Sequence, residues 1–215
     1  MSGEKSPFGK PVSQPQLRIN TAAEFEQRRL ELPEGGRFHE LHEGQLKLLS
    51  TPEDMHGTVV FNISRALAQF LQQNSSHTTY ACFGLGLHVS TNPDTVYAPA
   101  ISLFQSGSPF SQNDLNVASE VPALVVDVAS TNDRRTDMRR RTAAYLSHGV
   151  ECVWVPDPFK KEIQIISREK DTLALGSWQT LNDESVLPGF SVAVEQVFSQ
   201  PDWWDGQLPE CGSPD

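Results

Sequence analysis

The stretch Pro122-Ala-Leu-Val-Val-Asp127-Val-Ala-Ser130-Thr-Asn-Asp-Arg134-Arg-Thr-Asp137-Met-Arg-Arg-Arg141-Thr-Ala-Ala-Tyr145-Leu-Ser-His-Gly149-Val-Glu-Cys-Val-Trp-Val155-Pro-Asp157 decides the fold. Leu124 to Val128 is almost wholly apolar and β-branched, as in a strand buried on both faces in the middle of a sheet. Thr131 or Asn132 can cap a helix running to about His148, where Gly149 supplies the stop. Glu151 to Val155 is a second buried strand, which Pro156-Asp-Pro158 brings to an end. Strand, helix and strand in that order predict a parallel pair.

Asp127 is the anomaly. An ionised carboxylate in a central strand costs several kcal/mol unless it is paired or binds a metal. Asp127 could sit at the strand end and cap the next helix, or it could face a charge. At roughly 100° per residue, Met138, Thr142 and Tyr145 form one stripe of that helix, and Arg134 and Arg141 lie within about 60° of it. Both arginines therefore lean toward the sheet, while Arg139 and Arg140 read most simply as a solvated face. A strand-end carboxylate facing cations is how enzymes assemble sites for phosphodiesters.

Upstream, the form Thr21-Ala-Ala-Glu24 is a capping box for a short helix that ends before Pro33. Phe38-His-Glu-Leu-His42 and Gln45-Leu-Lys-Leu-Leu49 flank Glu43-Gly44 and predict a β-hairpin. Glu40 and His42 then share one face, where they could share a ligand; such a pair otherwise reads as a surface pair. Val59, Val60, Ile63, Leu67, Phe70 and Leu71 recur at spacings of three and four, which marks a helix over His56 to Gln73. Four strands follow, at Thr78 to Phe83, Leu87 to Ser90, Val96 to Ala98 and Ile101 to Phe104, and then a polar surface loop over 106–119. Beyond the decisive stretch come an edge hairpin (Glu162 to Ser167 and Thr172 to Leu175), a last strand from Leu187 and a short helix ending near Phe198. Residues 1–16 read as a disordered arm, 17–200 as one domain and 201–215 as an acidic tail.

The chain has 215 residues and a net charge of −10, which opposes non-specific association with nucleic acid. The distribution matters more: five of the 17 basic residues fall between Arg134 and Arg141, and none follows Lys170. Three cysteines without C-x-x-C spacing argue for reduced thiols. The absence of a long apolar run and of a signal-peptide core predicts a cytoplasmic protein with no membrane partner. Gly84-Leu-Gly86 lacks the following helix and third glycine of a dinucleotide fingerprint, and no Gly-Lys-Ser/Thr loop occurs, so no nucleotide cofactor is expected.

Taken in order, these pieces resemble the Uma-type restriction endonuclease family, a branch of the PD-(D/E)XK nucleases. The resemblance covers about residues 20 to 200. It rests on Phe38 to Leu46 for the family's aromatic-Glu-Leu-x-x-Gly-x-Leu hairpin, Pro52 to His56 for a Pro-x-x-x-His helix start, and Tyr97-Ala-Pro-Ala for an Ala-Pro-Asp strand. Pro122 to Val128, Ser130 with Arg134 and Asp137, Ala144-Tyr145, Gly149-Val150, Val153 to Pro158 and Leu187-Pro-Gly-Phe190 complete it. The resemblance implies a restriction-endonuclease-like α/β (α+β) fold: a mixed central sheet flanked by helices, with an N-terminal hairpin. In the family, carboxylates bind Mg²⁺ or Mn²⁺ for phosphodiester hydrolysis of DNA, and a lysine orients the water.

Carried over, Glu40 and Asp127 match two metal-binding acids and join Arg141 as the catalytic candidates. Two positions depart from the pattern. The acid of Pro-Asp is Ala100, and the helix lysine is Arg141, which keeps its charge but cannot serve as a base. Asp133 or His42 could substitute as ligands, and any metal is expected to bind weakly. Arg134, Arg139 and Arg140 are the candidate nucleic-acid contacts. The sequence thus predicts an impaired metal-dependent endonuclease or, as the alternative, a non-catalytic module for nucleic-acid binding or protein interaction; a homodimer would suit cutting of both strands.

Overall fold

In the computed structural model, Leu124–Val126 and Cys152–Asp157 form the expected parallel pair, Val125 opposite Val153 and Val126 opposite Trp154, joined by the helix Asn132–His148. The residues described are 18–52, 55–74, 78–108, 110–168 and 170–200. The expected arm (1–16) and tail (201–215) lie outside them. In chain order the elements are α1 (Ala22–Arg28), β1 (His39–His42), β2 (Gln45–Leu48), α2 (His56–Gln73), β3 (Tyr80–Phe83), β4 (Leu87–Ser90), β5 (Thr95–Tyr97) and β6 (Ile101–Phe104). Then follow β7 (Leu124–Val126), α3 (Asn132–His148), β8 (Cys152–Asp157), β9 (Glu162–Ser167), β10 (Leu173–Leu175), β11 (Thr180–Asp183), β12 (Leu187–Ala193) and α4 (Val194–Phe198).

The central sheet has six strands in the order β10-β9-β8-β7-β6-β3, antiparallel except at β7-β8. It is mixed, as predicted. Alternation along β7 sends Leu124 and Val126 to one face and Val125 to the other. The first face packs on α2 through Val59, Ile63 and Leu67, and on β12 and α4 through Phe190 and Val197. Trp154 stacks on Phe190 there, with ring centroids 5.4 Å apart. On the second face Val125, Val153 and Val155 meet Met138 and Tyr145 of α3.

A second sheet, β2-β1-β5-β4, carries the predicted hairpin, with Leu41 opposite Val96. Both residues are buried against Ile19 and Phe25 at the start of the chain. The capping box forms as read: Glu24 N–H donates to the Thr21 hydroxyl, and Thr21 N–H to the Glu24 carboxylate, both at 3.2 Å. Cys82 and Cys152 are free thiols, and both are buried.

Three readings change. β11, which pairs with β12, went unpredicted because Thr180 to Asp183 is short and half polar. β8 runs through Pro156 to Asp157, because the bond at Pro156 needs only its carbonyl, which accepts from Ala129 N–H at 2.9 Å. The loop after β6 is partly internal: Gln112 and Val117 are buried, and Asn113 accepts from the Cys82 thiol. No helix among the described residues is long and apolar enough to cross a membrane.

Candidate functional site

Asp127 lies two residues beyond Val125, so it shares the face of the sheet that α3 covers. Its N–H still donates to the Trp154 carbonyl at 3.0 Å, which holds the carboxylate at the end of the parallel ladder. It does not cap the helix. Thr131 does, accepting from Arg134 N–H at 3.1 Å. On β1 the same alternation turns Leu41 into the N-terminal cluster and Glu40 and His42 toward α3. The surface-pair reading of Glu40 fails: its side chain, like that of Asp127, is 0 % exposed. Arg134, Arg141 and Tyr145 are seven and four residues apart on α3, so they stand on one face.

These side chains interlock. Arg141 donates from Nη1 to Glu40 Oε2 at 2.6 Å and from Nη2 to Oε1 at 2.9 Å, a bidentate clamp. Its Nε donates to Asp127 Oδ2 at 2.7 Å, so one guanidinium joins both carboxylates. Arg134 binds the other oxygen of Asp127. Tyr145 donates to Asp127 Oδ2 at 2.8 Å, and its hydroxyl accepts from Arg141 at 3.0 Å. Ala98 N–H and His42 Nε2 each lie 2.8 Å from a Glu40 oxygen. The Tyr97 ring centroid lies 4.3 Å from the centre of the Arg141 guanidinium.

Burial would push the Glu40 carboxyl up, but the charge of Arg141 and the hydrogen bond from His42 outweigh it and hold the group far below the carboxylate range. Burial likewise opposes charge on Arg141, and the charges of Asp127 and Glu40 reverse the balance. The Tyr145 phenol is pushed well up by burial and remains a neutral donor. Two carboxylates thus balance two guanidinium groups, with Arg141 sealed beneath. Tyr145→Phe removes a hydrogen bond to a buried charge and is expected to cost roughly 1.5–3 kcal/mol, measured by urea unfolding.

The donor set does not fit a divalent ion. Each of the four oxygens of Glu40 and Asp127 already accepts from a guanidinium, and the cation between the acids is covalently part of the chain. Ala100 lines the adjoining cleft with no ligand atom. Asp133 is exposed on α3 and accepts from the Ser50 hydroxyl at 2.8 Å. Both His42 nitrogens are engaged, one by Glu40 and the other by Arg140 at 3.2 Å. Among the described residues no group of three His, Cys, Asp or Glu could hold a metal.

The three candidate nucleic-acid arginines separate. Arg139 is exposed on the outer face of α3. Arg140 is held by Asp137, at 2.7 and 3.0 Å, and lies 3.8 Å from Glu43. Arg134 alone of the three reaches the cleft of about 630 Å³ beside the site. His56 and Ser130 line that cleft too, their side chains 2.9 Å apart. Burial, then the charge of Arg134, pushes the His56 imidazole down, which favours its neutral form. Sequence reasoning missed Arg29 and Arg37, which also line the cleft, and the hydroxyl of Tyr145. The spacing of Tyr145 four residues after Arg141 was the available signal for the last; nothing local marks Arg29.

A mixed sheet that brings a hairpin acid and a strand-end acid together beneath a basic helix defines a protein of the nuclease fold. A family model described as "Uma2: Putative restriction endonuclease" matches residues 22–195, and the chain belongs to that family. The crystal structure of a "putative nuclease belonging to DUF820" from Anabaena variabilis ATCC 29413 superposes with a TM-score of 0.67 at 18 % identity, over 83 % of this chain and 97 % of that one. No curated protein sequence matches significantly.

Proposed function

We propose that this chain is a non-hydrolytic member of its family, a nuclease scaffold kept for binding nucleic acid, in which the guanidinium of Arg141 stands where a metal would be held. What carries this reading is that single group bridging Glu40 and Asp127, with all four carboxylate oxygens satisfied. Ala100 supports it. Ala98 N–H binds Glu40, and Ala100, two positions on, lines the adjoining cleft and brings no third acid to it. Arginine can stabilise a phosphate but cannot take a proton from water near neutral pH. Arg134, paired with Asp127 on one side and lining the cleft on the other, is the cation of the network nearest to a bound phosphate. The competing reading, a Mg²⁺- or Mn²⁺-dependent DNA endonuclease acting as a homodimer, draws its support from family membership.

The test is cleavage of supercoiled plasmid with Mn²⁺, comparing the native protein with Ala100→Asp and with Ala100→Asp combined with Arg141→Lys. The native protein is expected to leave the plasmid intact and to show no Mn²⁺-dependent rise in melting temperature. The double variant, with a third acid and a cation able to withdraw, is expected to gain that rise by mass action on the folded state. Native nicking that Asp127→Ala abolishes would overturn the proposal.

A further inference from the structure

Among its described lining residues the cleft carries Arg29, Arg37, Arg134 and His56 and no Asp or Glu, in a chain whose net charge is −10. By its described lining residues the cleft is basic, in an acidic protein. Such a cleft concentrates anions, because low-dielectric walls focus the field of the charges within them.

The walls are fixed by Arg29. This side chain is only 7 % exposed and meets no carboxylate within ion-pair distance among the described residues; instead it donates to three carbonyls. These are Gly36 at 3.4 Å, Asn116 at 3.0 Å and Gly84 at 3.0 Å, each in a different loop. Gly36 has φ +72°, and a β-carbon there would lie 2.5 Å from the Arg29 side chain. Glycine is required for that approach. Gly36 precedes Arg37, exposed and lying over the Phe38 ring at 5.4 Å, and Gly84 follows Phe83. One buried cation therefore fixes the backbone next to Arg37 and next to Phe83 at the end of β3.

Phe83 is the informative group. It is a large aromatic, 58 % exposed, on the lining of a cationic cleft. An exposed aromatic beside arginines is the arrangement that binds single strands, since an unpaired base offers its face for stacking while cations track the phosphates; Arg37 has no carboxylate partner among the described residues, whereas Arg134 is paired with Asp127. A duplex keeps its bases stacked on one another and offers no such face. A cleft of about 630 Å³ falls within the range of sites that enclose small ligands, which suits a short stretch of strand.

We infer that the cleft binds single-stranded nucleic acid, with a base stacked on Phe83 and phosphates on Arg37 and Arg134, and with Arg29 as the positioning residue. This deepens the binding role proposed above, but it does not depend on the loss of hydrolysis.

The experiment is fluorescence anisotropy of a labelled 12-nucleotide oligothymidylate with the full chain in EDTA at low salt, against a mixed-sequence duplex of equal length and unlabelled inorganic polyphosphate as competitor. The single strand is expected to bind at least tenfold more tightly than the duplex. Phe83→Ala is expected to weaken it roughly tenfold, as loss of one stacked base would. Arg37→Ala should weaken it and lower the salt slope by about 0.7, one phosphate contact on a single strand. Lys160→Ala, on the β8–β9 turn away from the cleft, is the comparison. Equal or tighter duplex binding, an unchanged Phe83→Ala variant, or full displacement by polyphosphate with no effect of Phe83→Ala would overturn the inference. EDTA keeps this result separate from the plasmid assay, so native nicking would defeat the non-hydrolytic reading and leave the strand preference to be decided here.

Discussion

Arg141→Met is expected to lower the melting temperature by about 10 °C. The substitution removes the charge that joins Glu40 to Asp127 and leaves two wholly buried carboxylates facing one another, with Arg134 as the remaining cation. Removing one partner of a buried ion pair costs roughly 3–5 kcal/mol, most of it the penalty for the charge left behind. For a chain of this size each kcal/mol moves the melting temperature by about 2–4 °C. The cause can be separated from lost packing, since methionine keeps most of the volume. Adding Glu40→Gln and Asp127→Asn to Arg141→Met removes the stranded charges and should recover part of the loss. Differential scanning calorimetry decides it: a single variant within 1 °C of the native protein would mean that the network is not what holds α3 to the hairpin.

Glu40→Gln is expected to change both the level and the pH dependence of stability. At pH 7 the variant breaks the same network from its other side, again at a cost of roughly 3 kcal/mol. The pH dependence follows from the depressed native pKa of Glu40. In the unfolded chain its carboxyl titrates near about 4.3. Above that value the native advantage of the ionised group is complete. As the pH falls below it the unfolded chain takes up a proton that the native site refuses, and this advantage shrinks by about 1.4 kcal/mol per pH unit until the native pKa is reached. The native protein should therefore lose stability more steeply than Glu40→Gln between pH 4.3 and pH 3. Urea titrations at pH 7, 4 and 3 measure both effects, and parallel slopes for the two proteins would refute the assignment.

The proposed reading of the site is the substitution of one cation for another. A nuclease scaffold that gathers carboxylates at a strand end has an electrostatic problem, and it needs a positive charge to fold around. Here Arg141 supplies it permanently, with hydrogen bonds that satisfy both acids, while Tyr97 and Tyr145 enclose it. The adjoining cleft keeps its own arginines free of that network except at Arg134, which belongs to both.

By itself the sequence determined what depends on period and local chemistry. The buried runs at Leu124 and Cys152, the helix cap at Thr131, the hairpin turn at Glu43-Gly44 and the apolar stripe from Val59 to Leu67 each signal their structure within a few residues, and each formed. The helical period also turned Arg134 and Arg141 toward the sheet. What only the tertiary structure decided was who meets whom. Glu40 and Arg141 are 101 positions apart, and no local pattern states that a hairpin acid will be sealed under a helix arginine. Arg29 reaches Gly84 across 55 positions, so the cleft wall was equally invisible. Pairing of this kind is set by which faces two sheets and a helix must bury together, and that is a property of the packed chain rather than of any segment in it.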